Sequence, residues 1–124
     1  MKLTPEQINE FDAYVRKWQD VLSLKDWRVE RSNRPAPKGA MACVEFDDEA
    51  RLVTYRLGDF GNAPITSKVL EETAIHELLH VRFKDLIAAA SSRDDDMLES
   101  QEHRVINVFE RLLIEGNHGC TSSK

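Results

Sequence analysis

The chain has 124 residues, room for one domain and too few for two independent cores. Hydrophobic residues at 41% and charged residues at 31% describe a water-soluble folded domain and exclude a disordered one. The 17 Lys and Arg against 22 Asp and Glu leave a net charge of -5, which argues against a nucleic-acid partner held by phosphate neutralisation, since no surplus of cations exists to displace counterions.

No apolar run approaches the length of a membrane span, and the opening MKLTPEQINEFD lacks the pattern of a signal peptide. Cys43 and Cys120 are too few for a disulfide framework, so the expected setting is the reducing cytoplasm. The first element reads as a helix from Pro5 to Leu22. Thr4 is placed as its N-cap, Pro5 at its first position and Gln7 where a capping box requires it. Ile8, Phe11, Val15, Trp18 and Leu22 recur every three or four residues and form one apolar stripe.

Leu24 to Arg31 alternates and predicts a short strand, and the prolines and glycine of Asn33 to Gly39 predict a loop. Ala40 to Phe46 and Arg51 to Leu57 read as the two arms of a hairpin around the acidic turn Asp47 to Ala50. After a loop from Gly58 to Thr66, helical period returns from Ser67 to about Ala90. A last helix is expected from Met97 to Glu115, stopped by Gly116, with Asn117 to Lys124 as a flexible tail. The predicted class is α+β. A small three-stranded antiparallel or mixed sheet packs on an N-terminal, a middle and a C-terminal helix in a single domain over residues 1–116.

The middle helix contains His76-Glu77-Leu78-Leu79-His80, an HExxH motif. Residues four apart stand one above the other on a helix, so two imidazoles can converge on one ion, Zn²⁺ being the natural guest of such a pair. Glu77 is turned by about 100° from His76, which sets its carboxylate beside the ion and not on it. There it can serve as general base for a water that the ion makes acidic. A catalytic zinc takes three protein ligands. The candidates for the third are Glu99, Glu102, His103 and His118, and Glu102 ranks first because its spacing to Val105 and Phe109 predicts the inward face of the last helix.

HELLHVRF, followed about twenty residues later by EHRVINVFERLL, resembles the zincin-like metallopeptidases, and among them the small metallopeptidase proteins encoded by bacteriophages. The upstream DWRVE segment is similar as well, so the resemblance extends over Leu24 to Leu113. It implies a twisted sheet backed by helices with the HExxH helix at the active site. It also implies a third ligand from a Glu on the following helix, here Glu102 or Glu99, and the host cytoplasm as location. The Asp that follows the ligand Glu by four residues in the fuller pattern is absent, since Ile106 follows Glu102 and His103 follows Glu99.

The expected function is zinc-dependent hydrolysis of peptide bonds, the peptide adding as a strand to a hairpin edge. The alternative is a zincin scaffold with structural zinc that binds a host or phage protein without useful turnover. Tyr55 could donate to an oxyanion but is read as core, as are Trp18 and Trp27. The tail residues His118 and Cys120 are of zinc-ligating type and could fold back on the open position. A nucleic-acid role rests only on the local cluster Arg28, Arg31, Arg34 and Lys38.

Overall fold

The computed structural model describes residues 2–92 and 95–122, with the side chains of residues 92, 95, 97 and 113–122 excepted. Helix α1 spans Pro5–Val21. The capping box forms in full: Thr4 Oγ1 accepts from the Gln7 amide at 3.2 Å, and Gln7 Oε1 accepts from the Thr4 amide at 2.9 Å. Phe11, Val15 and Val21 are buried, and Trp18 is half-buried with its Nε1–H donated to Glu71 at 2.8 Å.

The next segment departs from the strand expected at Leu24. Leu24 and Trp27 are both buried, at 0% and 1% exposure. Residues three apart cannot share one face of an extended strand, because side chains alternate. They share it here because the chain turns, with the Trp27 amide donating to the Leu24 carbonyl at 3.1 Å. Strand β1 is therefore only Arg28–Arg31.

Strands β2 (Ala42–Asp47) and β3 (Leu52–Leu57) form the expected antiparallel hairpin, in register from Ala42 opposite Leu57 to Asp47 opposite Leu52. β1 runs parallel to β3 on its other side, so the order is β1-β3-β2 and the sheet is mixed. β3 is central and buries Val53 and Tyr55, whereas β2 is an edge with one hydrogen-bonded neighbour. At the exit from β3 the chain passes so close to Ala40 that a Cβ on Gly58 would stand 2.2 Å from the Ala40 carbonyl oxygen, which only glycine permits.

Helix α2 spans Ser67–Ser92, and Thr66 Oγ1 caps it by accepting from the Val69 amide at 3.2 Å. Leu70, Ala74, Leu78 and Val81 on its inner face join the core with Phe11, Val15, Trp27 and Val53. Helix α3 spans Asp95–Ser122 and runs through Gly116, where a stop was expected. A glycine inside a helix costs only about 1 kcal/mol relative to alanine and need not end it. No described helix is long and apolar enough to cross a membrane.

Three arginines gather on the end of α1. Arg82 of α2, 1% exposed, donates toward the carbonyls of Leu22 and Ser23 at 3.4 and 3.3 Å and to Gln101 Oε1 of α3 at 2.9 Å. Arg104 reaches the Ser23 carbonyl at 3.3 Å, and Arg111 reaches those of Asp20 and Val21 at 3.1 and 2.8 Å. The last carbonyls of a helix lack intrahelical partners and carry partial negative charge, which is what these cations satisfy.

A second polar knot joins the sheet to α2. Arg51 contacts both oxygens of Asp85, at 3.0 and 3.2 Å, and lies over the Trp27 ring at 3.9 Å, while Trp27 Nε1–H also donates to Asp85 at 3.1 Å. Burial pushes the Asp85 carboxyl up, but the hydrogen bonds from Arg51 and Trp27 and the Arg51 and Arg82 charges outweigh it and hold the group below the usual carboxylate range. A depressed carboxyl stabilises the fold above its unfolded pKa of about 3.9 and loses that contribution as pH falls through the lower folded value. Asp85→Asn is expected to cost about 1–3 kcal/mol at pH 7. The gap to wild type should narrow below about pH 4, read by urea unfolding at pH 7 and pH 3.

Candidate metal centre

The histidines and Glu77 occupy α2 at the boundary between its buried face and an open groove. His76 and His80 are exposed, whereas Glu77 is buried at 8% exposure. The helical period sets this: the buried stripe runs through Leu70, Ala74, Leu78 and Val81, and Glu77 flanks it on the groove side. The two rings stand nearly perpendicular at 82°, with Nε2 atoms 3.3 Å apart. Two nitrogens bound about 2.0–2.1 Å from one tetrahedral ion lie about 3.3–3.4 Å apart. The pair thus already has the spacing of two zinc ligands.

His76, Glu77 and His80 form the one group among the described residues in which three donor atoms of metal-ligating type lie within 4.8 Å of one another. The Glu77 carboxylate has no hydrogen-bond or ion-pair partner among the described residues. Burial pushes its pKa up, and the charges of His76 and His80 offset this in part. A mostly buried, unpartnered carboxyl in a cleft is suited to taking up a proton.

Two cavities open on either side of this group and share Ala42, His76 and Glu77. One, of about 670 Å³, extends past His80 to Val44, Phe46, Lys84 and Ile87. The other, of about 600 Å³, extends before His76 to Glu72, Phe60, Pro64 and Ile65. Together they make a groove between α2 and the edge strand β2.

Of the expected site residues, the structure brings together His76, Glu77 and His80, and Glu99, Glu102 and His103 do not join that group. Glu102 is exposed and does not join the histidines, contrary to the inward face expected for it. The inward stripe of α3 is Gln101, Val108 and, half-buried, Arg104, Val105 and Leu112, while Phe109 is 47% exposed. The bonds of Gln101 to Arg82 and of Arg104 to the end of α1 turn the helix this way. Glu99 and His103 are exposed and face each other at 3.6 Å. The side chains of His118 and Cys120 lie outside the described residues.

Tyr55 is core and donates its hydroxyl to Asp12 at 2.6 Å, and burial pushes its pKa up strongly. In the basic cluster, Arg31 is paired with Asp12 and Arg28 with Glu30. Sequence reasoning missed the wall formed by Phe60, Pro64 and Ile65, because a loop has no periodicity to reveal which side chains turn inward. It also passed over Glu72 and Lys84, although the first lies four residues before His76 and the second four after His80. No protein-family model, no curated protein and no solved structure matches the chain.

Proposed function

We propose that the chain is a zinc metallopeptidase of the HExxH type, with His76 and His80 holding Zn²⁺ through Nε2. The observation that carries this is the 3.3 Å separation of those nitrogens beside a buried Glu77 that has no hydrogen-bond partner among the described residues. An ion held by the two histidines would supply a water of pKa around 7 and polarise a carbonyl. The Glu77 carboxylate then takes a proton from the attacking water as its oxygen bonds to the amide carbon. It returns that proton to the amide nitrogen as the C–N bond breaks. An extended peptide would lie in the groove, adding to the free edge of β2 so that backbone hydrogen bonds hold it at the histidines.

The second reading, a zinc-holding scaffold that binds a protein without turnover, draws on one observation: Glu102 stands apart, so the described residues supply two histidine ligands and not three. Metal analysis of zinc-loaded protein freed of excess ion tests both. About one zinc per chain is expected in wild type. His76→Ala and His80→Ala should each weaken binding by more than the roughly 10–100-fold that loss of a ligand's hydrogen-bonded neighbour costs. Chelation with EDTA should abolish hydrolysis of a broad peptide library. Wild type free of zinc after loading would overturn the proposal, and zinc without hydrolysis would select the scaffold.

A further inference from the structure

The groove has opposite charges at its two ends, on the same stripe of α2 as the histidines. Glu72, His76, His80 and Lys84 are spaced four residues apart, so each stands about 6 Å along the helix from the next. Glu72 lines the cavity before His76, and Lys84 lines the cavity beyond His80. Apart from Glu77 and the histidines, the remaining lining is apolar or uncharged, including Val44, Phe46, Pro64 and Ile65.

Neither terminal charge is firmly used by the fold. Glu72 faces Lys68 at 3.8 Å with 61% of its side chain exposed, and Lys84 faces Asp48 at 3.6 Å while its Nζ sits 4.7 Å above the Phe46 ring. Loose surface pairs of this kind contribute little and exchange readily with a ligand's charge.

Strand β2 fixes the direction in which these charges would be met. Met41 and Ala42, where it starts, line the Glu72 cavity, and Val44 and Phe46 line the Lys84 cavity. A peptide adding antiparallel to β2, the stronger pairing, therefore enters with its N-terminal part at Lys84 and its C-terminal part at Glu72. Each charge is about 9 Å from the level midway between the histidines, and an extended chain rises about 3.4 Å per residue.

We infer that the groove selects peptides with an acidic residue two or three positions before the scissile bond and a basic residue two or three positions after it. This deepens the peptidase reading and rests on it for the position of the bond, though the order of the charges depends only on the groove. Each matched charge is expected to improve binding about threefold to fivefold, as for exposed ion pairs.

The test uses three end-blocked synthetic decapeptides with one apolar centre: acid-then-base, the charge-reversed order, and an uncharged control. Binding to zinc-loaded protein is followed by fluorescence anisotropy and cleavage by mass spectrometry. Wild type should prefer the acid-then-base peptide to the uncharged control by about tenfold to 25-fold, and to the reversed one by more. The double variant Glu72→Lys/Lys84→Glu, both positions lying outside the core, should invert that preference. Equal binding of the three, no binding of any, or a preference unchanged in the double variant would overturn the inference. A preference in binding without cleavage would support the charge order and remove the peptidase. Cleavage without preference would do the reverse.

Discussion

Glu77→Gln is expected to retain about one zinc per chain and to lose peptide hydrolysis by about 10²–10⁴-fold, the contribution typical of a positioned general base. Glutamine keeps the shape of the side chain and cannot accept the proton of the attacking water. The separation of the two readouts is the point of the experiment, because His76→Ala should lose both metal and activity. The substitution should also not harm the fold. Glu77 is buried at 8% exposure with a raised pKa, so a neutral group there removes a desolvation penalty and breaks no described bond. A Glu77→Gln protein that hydrolysed peptides at the wild-type rate would remove Glu77 from the mechanism.

Arg82→Ala carries the largest expected loss of stability, about 3–5 kcal/mol by urea or thermal unfolding. The guanidinium is 1% exposed, and its removal takes the donor from the Leu22 carbonyl and from Gln101 Oε1, leaves the Ser23 carbonyl to Arg104 alone, and opens a cavity. Its Nε has no hydrogen-bond partner among the described residues, which is the residual cost of placing a cation there. Arg82→Met fills more of the space and should recover part of the loss, but it still takes this donor from the Leu22 carbonyl and Gln101 Oε1. A loss below about 1 kcal/mol for Arg82→Ala would show that the Leu22 carbonyl and Gln101 are satisfied by other means.

The parts of the molecule that were legible in the sequence are those governed by local rules. The capping box at Thr4 and Gln7, the stripe of α1 and the hairpin of β2 and β3 depend on neighbours close in the chain, and each formed as expected. HExxH was legible for the same reason, since the spacing within one helix decides which side chains stack. What could not be read depended on contacts distant in sequence. Leu24 and Trp27 follow a turn because the core admits both. The parallel pairing of β1 with β3 has no local signature.

The orientation of α3 was misjudged because apolar periodicity put Phe109 inward. The polar contacts of Gln101 and Arg104, invisible to that pattern, decided it otherwise. Glu102 faces solvent as a result.

Arg82 sits two residues beyond His80, turned by about 200° to the far side of α2. Its bonds to α1 and α3 set where that helix lies along its axis, and a slip of one residue, about 1.5 Å, would break them. The height of the histidines against β2 is thus dictated from behind the helix. Neither His76 nor His80 belongs to the buried cluster or to the arginine contacts, so the frame of the groove owes nothing to them. On the proposed reading the molecule is a socket, machined before its contents arrive: an ion entering it would find two nitrogens 3.3 Å apart, and leaving it would not take the shape away.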